Sequence, residues 1–405
     1  MQAEVEIDRL GARGDGVAEA AGRLLYVPFA LPGERWRVGE GGSSLLLRAH
    51  PARADPACVH FGTCGGCVAQ HMPDELYAAW KREVVVEAFR HRGITAPVAP
   101  LSRVPLGSRR RVTLYAKRDG RKLSLGFHQR GTHLVVDIAA CPIAVPAIVR
   151  ALPALREMLE PILSGPAEAT AHVLATPQGL DVHVSLGHAP APHKDYPRLA
   201  TLAGRHGFAR LTVGRDTVLR ARAPLLTFDG VSVEPPPGSF VQAVAEAELE
   251  MIRLVTSSAS GARRVADLFC GIGTFTFPLA QSARVLAVDS RRDAADALDA
   301  AARHAQGRKP IEVRVRDLFR TPLATKELEA FDAVVLDPPA AGAKAQVAQI
   351  ARSPVPLVVY VSCDPGTLAR DVRTLADAGY ALQSVTPIDQ FLFSAHVEAV
   401  AVMAR

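Results

Sequence analysis

The 405-residue sequence is poor in aromatic side chains, which make up 5% against 48% hydrophobic residues overall, so its cores rest mainly on aliphatic packing. It has no apolar run of about 18 or more residues, which excludes a membrane-spanning helix. The amino-terminal MQAEVEIDRL carries acids where a secretory leader needs a basic and then an apolar segment, and a cytoplasmic protein is expected. There is no internal repeat, which excludes a solenoid. In that compartment the six cysteines are ligands or catalysts rather than a disulfide framework. The length calls for two or three domains.

What is present is concentrated in a few places. CVHFGTCGGC places Cys58, Cys64 and Cys67 in a C-x5-C-x2-C run, and AACPIAVP adds Cys141. Four cysteines without a histidine pair fit tetrahedral zinc or a [4Fe–4S] cluster, and the spacing with a remote fourth ligand before Pro142 leans to iron–sulfur. The nearby His60 reads as a surface residue. Between Arg109 and Arg130 stand eight Lys/Arg against one acid, Asp119, a local excess larger than the net charge of +6. Tyr115 and Phe127 lie among these charges, so the segment offers phosphate contacts and stacking surfaces to a nucleic acid, or is simply a solvated hairpin.

Residues 1–52 read as short strands with glycine turns, the pattern of a small oligonucleotide-binding β-barrel. Residues 53–240 hold the cysteines, a helix over 74–93 expected to pack on the catalytic part, and strands from about 108 onward. PPPGSF at 235–240 reads as a boundary. From 241 to 405 an amphipathic helix precedes RRVADLF, RVLAVD, IEVRVRDL, FDAVVLD and PLVVYVS, short apolar strands alternating with helices. That alternation predicts a parallel, doubly wound α/β sheet, closed by an antiparallel hairpin from ALQSVTPIDQF and HVEAVAVMA.

Such sheets bind ligands beyond the carboxyl ends of their strands. DLFCGIGTFTFPLA (267–280) is a strand, a glycine turn and a helix start, without the third glycine of a dinucleotide fingerprint. Asp289 ends the next strand, where an acid meets ribose hydroxyls, and Asp317 ends the third, facing an adenine edge. A nucleoside cofactor without a diphosphate fits, which points to S-adenosylmethionine. In VVLDPPAAGA, Asp337 ends a strand and two prolines hold the chain extended. Enzymes that methylate exocyclic amines carry an aromatic after the prolines, where Ala340 stands here. Cys363, in VVYVSCDPGTLARD, lies where a strand hands over to a helix; the helix start lowers a thiol pKa, the Asp364 charge opposes this, and the plain alternative is an inert buried thiol. Asp364 and Pro365 suit the N-cap and first turn. In HVEAVAVMA, Glu398 lies among apolar residues, where desolvation raises its pKa toward that of a useful base, while His396 reads as structural.

Taken together these segments resemble the RNA 5-methyluridine methyltransferase family, and most of all its iron–sulfur branch acting on 23S ribosomal RNA. GDGVAEAAGRLLYVPFALPGE resembles the TRAM barrel, the four cysteines resemble the [4Fe–4S] ligands, and residues 267–398 carry the catalytic motifs in family order. The resemblance implies a Rossmann-like class I methyltransferase domain with an N-terminal TRAM/OB-type β-barrel and a β-rich central domain with the iron–sulfur site. It implies Cys363 as nucleophile at uracil C6, Glu398 as the base at C5, and Asp337 near uracil and methyl donor. Gln242, Phe269, Thr274, Asp289 and Asp317 fall at donor-pocket positions, and Phe240 packs on the flipped base. The partner implied is structured RNA, with a monomeric enzyme and no membrane. The chain departs from the family pattern at Asp364 (usually Asn), Ala340 (usually Arg) and Leu392-Phe393-Ser394 (usually Pro-His-Thr). Three rivals are a tRNA substrate, 5-methylcytosine formation, and an iron–sulfur RNA-binding or redox-sensing protein without methyl transfer. The second needs a cysteine after the prolines, and residues 340–343 are Ala-Ala-Gly-Ala.

Overall fold

The computed structural model describes residues 3–39, 43–163, 167–187 and 193–405. Near the amino terminus, strands Ala3–Glu6, Arg35–Val38 and Ser44–Arg48 form one antiparallel sheet, and Arg9–Leu10, Gly16–Ala20 and Arg23–Val27 another. Val5, Ile7, Ala18, Val27, Ala30 and Trp36 fill the core between them. The expected barrel is thus two three-stranded sheets over a common core rather than one continuous sheet. Fully buried Glu34 staples their ends, accepting from Leu31 N at 2.9 Å, Trp36 Nε1 at 3.0 Å and Arg53 Nη1 at 2.8 Å.

The central sheet has seven strands in the order Asp216–Arg220, Arg210–Val213, Gly179–Ser185, Ala167–Thr176, Arg111–Asp119, Lys122–His128 and Val135–Asp137. Helices Pro146–Ile162 and Tyr196–Arg205, absent from the sequence reading of this region, share its core. The first holds despite Pro153 and Pro161 within it. Two interior prolines cost about 3 kcal/mol each, whereas burial of Ile148, Leu152, Leu155, Met158, Leu159 and Ile162 contributes roughly 1.5–3 kcal/mol apiece, so burial wins.

The carboxy-terminal sheet is Rossmann-like. Its order is Ile311–Val315, Arg284–Asp289, Arg264–Leu268, Ala333–Leu336, Leu357–Ser362, Glu398–Ala404 and Ala381–Ile388, with the first five strands parallel and the last two antiparallel. Apolar clusters cover both faces, as continuous apolar runs in parallel strands require. Helix Asp74–Arg90 packs on helix Pro365–Asp377 and on the edge strand Ala381–Ile388. Residues 97–102 lie along that same edge: Ala99 N donates to Val385 O at 2.8 Å, and Ser102 N to Pro387 O at 2.9 Å. Among the described residues no helix is long and apolar enough to cross a membrane.

Candidate active site

Three parallel strands end side by side at Leu268, Leu336 and Ser362, and the register between the last two sheet strands sets what faces them. Ser362 pairs with Ala399 in an antiparallel ladder, so the next positions outward are Cys363 on one strand and Glu398 on the other. Asp337 follows Leu336 on the neighbouring strand, its N–H donating to Leu268 O at 3.2 Å. One thiol and two carboxylates are thereby collected from three strands.

Their electrostatics are tense. Burial pushes the Cys363 thiol up to about 12, and the nearby Glu398, Asp337 and Asp364 charges push the same way. The expected lowering survives only as a backbone hydrogen bond at Cys363, outweighed by burial and by Glu398, Asp337 and Asp364, the last of which caps helix Pro365–Asp377 through Thr367 N at 2.8 Å. Glu398, 2% exposed, is raised to about 7 by desolvation, offset by a hydrogen bond from Gln390. Burial, with Glu398, Asp267 and Asp289 nearby, lifts Asp337 well above the ordinary carboxylate range, while the amide of Gln242 at 3.1 Å opposes this.

Around the glycine turn, Asp289 holds the backbone, accepting from Gly271 N at 2.9 Å and Arg291 N at 2.8 Å. Gly273 has φ +99°, and a Cβ there would lie 2.6 Å from the Phe277 ring. Phe269, with φ +63°, packs its ring on Phe319 at 5.4 Å between centroids. Asp317 spends one oxygen on its own turn, accepting from Phe319 N at 2.9 Å. Thr274 lies in the turn, but it is Thr276 whose hydroxyl reaches a carboxylate, donating to Asp267 Oδ2 at 2.5 Å. Asp267 went unread in the sequence, although it opens the motif. Its side chain is fully buried with Oδ1 unpartnered, and burial raises it to about 7. Acids gathered around an unfilled acceptor fit a cationic ligand, as the sulfonium and ammonium of S-adenosylmethionine are.

Cys58, Cys64, Cys67 and Cys141 are all free thiols and line one cavity of about 200 Å³. Gly65 lets the loop approach the central sheet, donating to His128 O at 2.9 Å where a Cβ would meet that oxygen at 2.8 Å. His60 is a brace rather than a free surface residue, its Nε2 accepting from Ala139 N at 3.1 Å beside the Cys141 segment. Among the described residues no group of three or more His, Cys, Asp or Glu is arranged to hold a metal ion. Arg109 and Arg111 line the cavity too, without an acid partner among the described residues. Burial lowers the Arg109 pKa and takes Arg111 to about 10. Four thiol donors with two cations fit an anionic metal centre, and the lining does not choose between zinc and iron–sulfur.

The basic run divides. Arg110 pairs with Glu248 at 2.8 Å, and its Nε donates to Gln242 O at 3.2 Å; Arg111 Nε donates to Val241 O at 2.7 Å. Arg130 pairs with Asp15 at 2.7 Å. Arg121 and Lys122 remain exposed at the hairpin tip, and Tyr115 stacks on His128 at 3.8 Å. Phe240 is 58% exposed with the Arg111 guanidinium 4.6 Å from its ring centre.

Residues 311–405 match the family described as tRNA (Uracil-5-)-methyltransferase. A protein of Rhizobium meliloti (strain 1021) named an uncharacterized RNA methyltransferase is 45% identical, over 99% of each chain. The 23S rRNA (uracil(1939)-C(5))-methyltransferase RlmD of Chromohalobacter salexigens is 33% identical, over 99% of this chain and 89% of that one. In fold, the chain is similar to the crystal structure of Pyrococcus abyssi tRNA (uracil-54, C5)-methyltransferase in complex with S-adenosyl-L-homocysteine, with a TM-score of 0.78, 22% identity and 99% of both chains covered.

Proposed function

The chain belongs to the RNA (uracil-C5)-methyltransferase family, and from that premise we propose that it methylates C5 of one uridine in structured RNA, most of all 23S ribosomal RNA, with S-adenosylmethionine as donor. The observation that carries the reading is the cross-strand placement of Cys363 opposite Glu398, one strand from Asp337.

C5 of uracil is a weak nucleophile. Cys363 gives up its proton to solvent water as sulfur adds to C6, and the electron pair displaced to C5 makes that carbon nucleophilic. S-adenosylmethionine supplies the electrophilic methyl group. Asp267, Asp289 and Asp337 line the donor side as buried acids whose ionised forms a cationic donor would favour, Gln242 orients Asp337, and Phe269 with Phe319 and Asp317 forms the nucleoside end. Glu398 then takes the C5 proton, C5=C6 re-forms, and the Cys363 sulfur leaves C6. Glu398 suits this because desolvation makes it a stronger base than a solvated carboxylate. Phe240, stacked on Arg111, offers the flipped base an aromatic face. Cys58, Cys64, Cys67 and Cys141 would hold a [4Fe–4S] cluster with a structural role, since no step above needs an electron.

In this reading residues 1–52 are the TRAM-like RNA-binding unit, 53–240 the central unit and 241–405 the catalytic unit of a monomeric cytoplasmic enzyme. The test incubates RNA from a strain lacking the gene with purified protein and labelled donor, then maps the product by nuclease digestion and mass spectrometry. A single 5-methyluridine in 23S RNA, lost with Cys363→Ala, is expected. Label in tRNA would change the substrate and keep the chemistry; no label from cluster-loaded protein would favour an RNA-binding iron–sulfur module.

A further inference from the structure

Gln390 has no part in the steps above, yet it lies between the two carboxylates those steps depend on. It is 1% exposed. Its Oε1 accepts from Ala243 N at 3.1 Å, and since a backbone nitrogen can only donate, the orientation of the amide is fixed. Its Nε2 therefore donates, to Glu398 Oε2 at 2.5 Å and to Gln242 Oε1 at 2.8 Å. With that oxygen engaged, Gln242 Nε2 must face Asp337, donating to Oδ2 at 3.1 Å. Glu398, Gln390, Gln242 and Asp337 form one hydrogen-bonded line with carboxylates at its ends and two amides between, neither free to flip.

We infer that Gln390 is a positioning residue that aims the Glu398 carboxylate and ties its placement to that of Asp337. The inference rests on the reaction proposed above. The segment carrying Gln390 is itself held from outside the sheet: Tyr77 Oη donates to Asp389 Oδ2 at 2.7 Å, Lys81 Nζ lies 3.1 Å from Asp389 Oδ1, and Phe393 N donates to Tyr77 Oη at 2.8 Å. A donor on so fixed a backbone directs its acceptor rather than following it. The titratable groups near Glu398 are Cys363 and Asp337, with Asp267 and Asp289 behind Asp337, and none of these is a cation. The Gln390 N–H thus favours the ionised form of Glu398, which its surroundings disfavour.

Without that bond Glu398 turns away and protonates more readily. The C5 proton then stays, its electron pair cannot re-form C5=C6, and the Cys363–C6 bond persists after the methyl has arrived. The test uses Gln390→Met, similar in size, and Gln390→Glu, similar in shape but unable to donate when ionised. Turnover is expected to fall on the order of 10²-fold, while a protein–RNA adduct carrying labelled methyl builds up on denaturing gels and the pH midpoint for its release moves upward. Unchanged turnover, or a fall with neither labelled adduct nor shifted midpoint, overturns the inference. A second measurement needs no RNA: in protein labelled with carbon-13 glutamate, and assigned with Glu398→Gln, the Glu398 titration midpoint is higher in Gln390→Met than in the wild type. An unmoved midpoint overturns the positioning role, whereas a moved midpoint in a wild type that methylates no RNA strikes only at the activity.

Discussion

At the scale of single residues the site is a thiol surrounded by acids, and its behaviour should be read from that. Burial and the Glu398 charge both disfavour the Cys363 thiolate. Glu398→Gln removes one of those charges, so alkylation of Cys363 by iodoacetamide at pH 8 should speed up several-fold, followed by mass spectrometry of the modified peptide. The same substitution acts on stability. Desolvation raises Glu398 to about 7 from an ordinary 4.5, so its burial costs nothing below the lower value, and the cost accrues between the two and is complete above the upper one. Urea unfolding should therefore find Glu398→Gln more stable than wild type at pH 8 and nearly equal at pH 4. Cys363 and Asp337 stood out in the sequence because each follows an apolar strand, and Glu398 because it is a lone carboxylate among apolar residues. The direction of the thiol shift was not legible, since it depends on acids 26 and 35 positions away in sequence, brought close only by the sheet order. Gln390 was invisible for the same reason.

At the scale of elements, the glycine turn and the helix Asp74–Arg90 each carry a distinct load. Gly273→Ala places a methyl against the Phe277 ring at a positive φ, and should cost about 1–3 kcal/mol in strain and weaken binding of S-adenosylhomocysteine in calorimetry. Lys81, fully buried, pairs with Asp389 and donates to the Phe391 carbonyl at 3.2 Å. Lys81→Met leaves Asp389 buried with only Tyr77, and a loss of about 3–5 kcal/mol is expected in urea unfolding. The strand alternation of residues 264–362 was plain from apolar runs and turns. Helix Pro146–Ile162 was missed because the whole region from about 108 onward was read as strands, although Ile148, Leu152, Leu155, Leu159 and Ile162 keep helical spacing.

At the scale of the whole molecule, the charge excess over residues 109–130 was legible, but where each cation points was not. Arg110 and Arg111 stitch the central sheet to the segment carrying Gln242, so their loss should affect the site rather than RNA affinity alone. Arg121 and Lys122 are the exposed pair, and replacing both with alanine should weaken RNA binding while flattening its logarithmic salt dependence by roughly 1–2. The strand Ala381–Ile388 closes the catalytic sheet, and residues 97–102 with helix Asp74–Arg90 cover its outer edge. Cut away from those residues, the segment 241–405 would present an unpaired strand edge with Val385 and Ile388 uncovered, and it should elute in the void volume of a sizing column. If so, gene fusion could not graft the methylating half onto another RNA-binding protein unless the chain that precedes it came along.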